Sequence, residues 1–129
     1  MMMPEAPVPA RRMQSVSRES KVYRLLGLAR RQGAVAPGID AVRRAIRTGE
    51  ARLVLFAEDA SVAQLDKVRA SLRHRSIPRI SLGSRDTLGS AVGLAPLSAL
   101  AVTSASLAEQ LVTETQASAP RSTLVGVEG

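Results

Sequence analysis

The chain has 129 residues, with 18 Lys and Arg against 11 Asp and Glu, a formal net charge of +7 at pH 7, one His and no Cys. This length suits one domain that buries about two-thirds of its unfolded surface. The absence of cysteine excludes a disulfide scaffold, a thiolate metal site and a cysteine nucleophile, and a single histidine excludes a multi-histidine metal site.

The two ends of the chain have the composition of tails. Residues 1–16 contain three prolines among small residues and lack the apolar segment of a secretory signal, and residues 116–129 are rich in Ser, Ala, Pro and Gly. We therefore expect disordered tails at 1–16, which is basic, and at 116–129, around a domain at 17–115. Residues 87–108 carry no charge, but Gly89, Gly93 and Pro96 break this stretch and argue against a membrane span.

The first half of the domain predicts two helices and a buried strand. Val22 and Leu26 lie on one face of a helix that Ser17 would cap and Gly33 would end. A short extended piece, Ala34–Ala36, leads into a second helix that ends at Gly49. The apolar faces of the two helices consist of Val22, Leu25, Leu26 and Ala29, and of Ile39, Val42 and Ile46. The apolar run Leu53–Ala57 is typical of a strand that is buried on both faces.

The second half continues the alternation of helices and strands. A third helix is expected at about Val62–Arg75, with Asp59 or Ser61 at its N-terminus, and Ser84 would cap a short fourth helix that ends at Gly93. Extended segments are expected after Pro78 and before the last helix. These remaining elements are the strands Arg79–Leu82 and Ala99–Thr103 and the helix Ser106–Thr115. The alternation predicts a layered α/β sandwich.

The positive charge is concentrated in the first part of the chain. Residues 1–31 carry a net charge of +5, residues 32–76 carry +3 and residues 77–129 carry −1. Sixteen of the eighteen cations are Arg, whose guanidinium group binds phosphate in two-point geometry. Nucleic acid is therefore the first partner to consider, and codon usage in a GC-rich genome is the competing explanation.

The start of the second helix combines two features that favour phosphate. The first amide groups of a helix have no partner within it, and Gly38 lets a ligand backbone approach them closely. Arg43, Arg44 and Arg47 follow on the side away from the apolar face. A solvated surface is the alternative interpretation of these arginines. Because only 2% of the residues are aromatic, a base-stacking platform is excluded and recognition would depend on shape and phosphates.

Glu58 and Asp59 are the best catalytic candidates, because they follow the strongest strand, where open α/β sheets usually bind ligands. The simpler interpretation is that Asp59 caps the helix that begins near Val62, and it is favoured because no partner acid or base recurs nearby. His74 lies between two arginines and is expected to be a solvated surface residue. No nucleophile-elbow, Walker A or dinucleotide-binding motif is present.

Several short motifs occur together in a recognisable order. They are Leu25–Ala29, Gly38–Arg44, Gly49–Asp59, Ile77 with Pro78, and Ser84–Gly89 followed by Gly93. From Lys21 to about Val112 the chain resembles the kink-turn RNA-binding superfamily of ribosomal proteins L7Ae and L30e, particularly its small bacterial YlxQ-like branch. The resemblance implies a three-layer α/β/α sandwich with a mixed four-stranded sheet, no catalysis, and RNA bound by two neighbouring segments.

The resemblance places the first RNA-binding segment at the start of the second helix. The family pattern there is Gly, any, Asn, Glu, any, any, Lys, which falls on 38–44 of this chain. Gly38 matches and Arg44 keeps the positive charge, whereas Asp40 replaces the asparagine and Ala41 replaces the glutamate. These two replacements remove base-reading groups and leave the phosphate-binding ones, so the sequence favours general RNA binding over kink-turn recognition.

The second implied segment is the loop before the fourth strand, where the family has an apolar, acidic, apolar trio. In this chain the trio is Leu94, Ala95 and Pro96, so the acidic residue is absent. Lys21 and Arg24 are expected as peripheral phosphate contacts. The complete predicted RNA-binding set is Gly38, Ile39, Asp40, Arg43, Arg44, Arg47, Leu94, Ala95, Pro96, Lys21 and Arg24.

The sequence therefore predicts a non-enzymatic, cytoplasmic, bacterial protein that binds ribosomal or other structured RNA. We expect a monomer with no cofactor, no metal ion, no small-molecule substrate and no membrane partner. Two alternatives stay open. One is a protein–protein interaction module on the same fold, and the other is an enzyme that uses Glu58 and Asp59.

Overall fold

The computed structural model describes residues 20–118, in which five helices alternate with four strands. The elements in chain order are α1 (20–31), β1 (Val35–Pro37), α2 (Ile39–Arg47), β2 (Leu53–Phe56), α3 (Val62–Leu72), β3 (Arg79–Ser81), α4 (Arg85–Ala91), β4 (Ala99–Val102) and α5 (Ala105–Ser118). Ser17, the predicted cap of α1, and both predicted tails lie outside these residues, except for 116–118, which belong to α5. No helix within 20–118 has the length and apolar character needed to cross a membrane.

The four strands form one mixed sheet in the order β1-β4-β2-β3. β4 is antiparallel to both of its neighbours, and β2 is parallel to β3, so β1, β2 and β3 all run in the same direction. We call the edge of the sheet at which these three strands end the carboxyl edge, and the edge at which they begin the amino edge. β4 runs the opposite way and therefore begins at the carboxyl edge.

Helices cover both faces of the sheet and give three layers, as predicted. Alternate strand residues face opposite sides. Leu53 and Leu55 pack with α1, α4 and α5, while Val54 and Phe56 pack with α2 and α3. All four residues of β2 are buried, because a central strand with helices on both sides exposes neither face.

Most predicted elements are present with shifted ends. α3 ends at Leu72 rather than Arg75, because Arg73 leaves the helical conformation and His74 has a φ of 63°. Ser104 accepts a hydrogen bond from the Leu107 amide at 3.2 Å, so α5 begins slightly before the expected Ser106. The four strands also differ from their predicted bounds by about one residue at one or both ends.

Candidate nucleic-acid interface

α2 begins at the carboxyl edge with a glycine in a conformation that other residues rarely adopt. Gly38 has φ 95° and ψ 160°, and its amide donates a hydrogen bond to the carbonyl oxygen of Ala99 at 2.9 Å. The first amide groups of any helix have no partner within it, and here no side chain caps them. These amides, together with the positive end of the helix dipole, suit an anion such as a phosphate.

The loop between α4 and β4 lies beside this helix start. The Gly38–Ala99 hydrogen bond and the pairing of Pro37 with Leu100 place the end of β1 next to the beginning of β4. The loop that contains Leu94, Ala95 and Pro96 leads directly into that point, and Ala95 and Pro96 are exposed. The structure thus brings together the two segments that the sequence predicts to bind RNA.

Hydrogen bonds to α4 and β2 fix the path of this loop. The Leu94 amide donates to the Gly89 carbonyl at 2.8 Å, the Leu97 amide donates to the Arg85 carbonyl at 3.1 Å, and the Ala57 amide donates to the Ser98 carbonyl at 2.9 Å. Gly89 has no side chain, and a Cβ there would overlap the backbone of Ala95. The backbone of the 94–96 loop is therefore held in place by hydrogen bonds and by its close packing on Gly89.

The three arginines of α2 occupy different environments. Arg43 is half-buried, and its Nε donates to the Ser71 hydroxyl on α3 at 3.3 Å, so this side chain faces α3. Arg44 is exposed and lies one turn after Asp40 on the same face, and helical side chains lean toward the helix N-terminus. Arg47 is the last residue of α2, about 13 Å along the helix from Gly38. The structure therefore separates Arg47 from the helix start.

Lys21 and Arg24 belong to α1, in the layer on the other side of the sheet from α2. Both side chains are exposed, and Lys21 Nζ forms an ion pair with Glu114 of α5 at 3.8 Å. Tyr23 lies between them in sequence. Its hydroxyl is close to Gly83, which follows β3 at the carboxyl edge, because a Cβ added at Gly83 would lie 2.6 Å from the hydroxyl oxygen. This part of α1 therefore approaches the carboxyl edge.

The position of Asp59 corrects one expectation. Ser61 caps α3 by accepting a hydrogen bond from the Gln64 amide at 3.2 Å, whereas the Asp59 carboxylate accepts from the Arg85 amide at 2.8 Å. Asp59 therefore stabilises the N-terminus of α4 and not that of α3. The sequence did not indicate this contact because it depends on the pairing of β2 with β3, which places the start of α4 beside Asp59.

The two other candidates for chemistry lie on the surface. Glu58 is exposed beside Asp59, and His74 is exposed after the end of α3. Within the described part of the chain, no group of three or more His, Asp or Glu side chains is arranged to hold a metal ion.

Comparison with known proteins identifies the family. The model of the Ribosomal protein L7Ae/L30e/S12e/Gadd45 family matches residues 20–112. The chain belongs to this family. The match covers both predicted segments of the interface and all four strands.

Individual relatives agree with this assignment. The chain is 37% identical over 90 residues to "RNA-binding protein YlxQ" of Bacillus subtilis, an alignment that covers 70% of this chain and 90% of the relative. A solved structure of a protein of unknown function from Bacillus halodurans superposes with a TM-score of 0.70 at 28% identity, covering 74% of this chain and 97% of the other.

A more distant structure shares the fold. The "15.5kD RNA binding protein" of Giardia lamblia superposes with a TM-score of 0.63 at 18% identity, covering 78% of this chain and 89% of the other. This likeness shows the fold, while the family match and the 37% identical relative confirm the YlxQ-like branch that the sequence motifs indicated.

Proposed function

We propose that the protein binds structured RNA at the carboxyl edge, through the start of α2 and the loop that contains Leu94, Ala95 and Pro96. The observation that carries this proposal is the junction of these two segments at the Gly38–Ala99 hydrogen bond, in a chain of the L7Ae family. The 37% identity to a relative described as an RNA-binding protein supports RNA as the ligand.

The contacts follow from the chemistry of the edge. The free amides of the α2 first turn suit a phosphate, and Arg44 adds a guanidinium group on the same side of the helix. Asp40 is an acceptor without the amide donor of the family's asparagine, and Ala41 has no polar group. Binding therefore rests on phosphates and shape, and we expect less discrimination between a kink-turn and a straight duplex than a bidentate base contact would give.

We also infer that the protein acts as a monomer in the cytoplasm, on ribosomal or other structured RNA, and catalyses no reaction. The Asp59 carboxylate accepts a hydrogen bond from the Arg85 amide at the start of α4 and also forms an ion pair with the Arg85 side chain at 3.8 Å. A role of Asp59 in folding accounts for its position after β2. No feature of the carboxyl edge favours either alternative, an enzyme or a protein–protein interaction module.

The test is RNA binding by the double variant Arg43→Ala, Arg44→Ala, measured by fluorescence anisotropy with an RNA that contains a kink-turn and with a straight duplex of equal length. We expect weaker binding of the kink-turn RNA and a salt dependence that is shallower by about 0.7–0.9 per lost phosphate contact. The matched control is Lys67→Gln, Arg69→Gln, which removes two charges from the exposed surface of α3.

Equal affinity and equal salt dependence of the double variant and the wild type would refute the assignment of this edge. A kink-turn preference of more than about 100-fold in the wild type would show that Asp40 and Ala41 do not limit recognition, because one bidentate base contact supplies up to roughly that factor.

A further inference from the structure

The charges of the described residues are segregated between the two edges of the sheet. Because β1, β2 and β3 are parallel, the connections from α1, α2 and α3 into these strands all lie at the amino edge. Those connections and the residues that flank them carry seven arginines against one acid, Glu50. The seven are Arg30, Arg31, Arg47, Arg52, Arg73, Arg75 and Arg79.

The rest of the described chain has no excess of positive charge. Outside the amino edge, residues 20–118 contain seven Lys and Arg and seven Asp and Glu. At the carboxyl edge the exposed acids include Asp40, Glu58, Asp59 and Asp86. The net positive charge of the described chain therefore resides at the amino edge, away from the interface proposed above.

Two of the seven arginines have a role in the fold. Cations near helix C-termini stabilise the carbonyl groups exposed there. Arg75 Nη1 donates to the Ile46 carbonyl at 2.7 Å, and Arg79 Nε donates to the Ile77 carbonyl at 3.3 Å. The other five side chains are exposed, and they form no hydrogen bond or ion pair within residues 20–118. These five are Arg30, Arg31, Arg47, Arg52 and Arg73.

The shape and composition of the edge indicate the ligand. The four strands span about 14 Å, since neighbouring strands are about 4.8 Å apart. No aromatic residue lies there, because Tyr23 is near the carboxyl edge and Phe56 is buried at the end of β2. Several guanidinium groups at one edge of the sheet, without aromatic side chains, suit phosphates and offer no stacking surface for bases.

We propose that the amino edge is a second RNA-binding surface, which binds the sugar–phosphate backbone without regard to sequence. This proposal goes beyond the function assigned to the carboxyl edge, because the two surfaces lie at opposite ends of the sheet and each can bind without the other. Together they allow one protein molecule to contact two segments of RNA.

The test uses single-stranded oligouridine, which has no kink-turn and no stable secondary structure. The variant is Arg52→Gln, Arg73→Gln, and the matched control is again Lys67→Gln, Arg69→Gln. If both arginines contact phosphates, the slope of log affinity against log salt decreases by about 1.4, and affinity falls about 25-fold at 0.1 M salt. The control pair is expected to retain most of the wild-type affinity and slope.

Three results would overturn the proposal. One is an oligouridine affinity of the Arg52→Gln, Arg73→Gln variant equal to that of the wild type. Another is an equal loss of oligouridine affinity in the control variant, which would indicate a general effect of net charge. The third is tighter binding of polyglutamate than of oligouridine by the wild type, which would assign the edge to an acidic protein partner. Urea unfolding of both variants verifies that they are folded.

The two proposals are tested separately. The Arg43→Ala, Arg44→Ala variant changes the carboxyl-edge interface and leaves Arg52 and Arg73 intact. If this variant binds the kink-turn RNA more weakly but still binds oligouridine through Arg52 and Arg73, both surfaces are supported. If kink-turn binding is unaffected, only the carboxyl-edge assignment fails.

Discussion

Gly89 is a single residue that connects the packing of α4 to the proposed RNA interface. It is buried in α4, and its carbonyl oxygen accepts a hydrogen bond from the Leu94 amide at 2.8 Å, which holds the 94–96 loop against the helix. A Cβ at Gly89 would also lie 2.7 Å from the carbonyl carbon of Ala95. Because this neighbour is backbone, no rotamer change relieves the overlap.

We predict that Gly89→Ala lowers the free energy of unfolding by roughly 1–3 kcal/mol, the usual cost of overpacking, despite the higher helix propensity of alanine. The displaced loop should also weaken binding of structured RNA. Urea denaturation and fluorescence anisotropy measure the two effects.

Gly27→Ala is the matched control, because Gly27 is also helical and its added Cβ would lie 3.4 Å from the Ala91 carbonyl oxygen. We expect at most a small change in stability from this variant. If Gly89→Ala is as stable as Gly27→Ala, the loop is not supported by the close approach at Gly89.

At the scale of elements, α2 and α3 run side by side on one face of the sheet and are joined at their C-terminal ends. Arg75, just beyond α3, donates from Nη1 to the Ile46 carbonyl in the last turn of α2 at 2.7 Å. A charged donor at a helix C-terminus satisfies a carbonyl group and interacts favourably with the helix dipole.

We predict that Arg75→Gln lowers the free energy of unfolding by about 1–2 kcal/mol, because a hydrogen bond to a charged group contributes about 1.5–3 kcal/mol and solvent exposure of Arg75 reduces this contribution. Arg73→Gln removes the same charge two residues earlier, where the side chain is exposed and has no hydrogen bond to another described residue. Thermal and urea unfolding should leave the Arg73 variant close to wild type. Equal losses from the two variants would mean that charge, and not this hydrogen bond, stabilises the helix ends.

The elements themselves were largely predictable from the sequence. The run from Leu53 onward has the continuous apolar character of a central strand, and Ser84 is followed by a helix whose capping box the structure contains. Both signals are local, so periodicity and capping chemistry are sufficient to identify them.

Contacts between distant elements were not predictable in the same way. Asp59 or Ser61 was expected at the N-terminus of α3; Ser61 caps it, whereas Asp59 accepts a hydrogen bond from the Arg85 amide, 26 residues away. Arg43 was expected to project from α2, but it reaches Ser71 on α3. Both contacts depend on which elements are neighbours, which the spacing of apolar residues does not specify. The segregation of charge also emerges only once the three parallel strands assign their connections to one edge.

At the scale of the whole molecule, the two hydrophobic cores on either side of the sheet are built from a continuous part of the chain. The described buried residues extend from Val22 to Thr115, and α5 contributes Leu107, Ala108 and Leu111 to the core beside α1 and α4. The two cores meet at the sheet, where β2 and β4 supply buried residues to both.

We predict that a fragment of residues 17–118 unfolds at the same urea concentration as the full chain, because it retains every core residue that the structure describes. A shorter fragment, 17–106, lacks the three core residues of α5 and is the matched comparison. Loss of each buried leucine costs about 2–5 kcal/mol, and a small domain has only about 5–15 kcal/mol in total. Far-ultraviolet circular dichroism should therefore show the shorter fragment largely unfolded. A lower midpoint for 17–118 than for the full chain would mean that residues beyond this range stabilise the fold, because the fragment keeps all core residues described within 20–118.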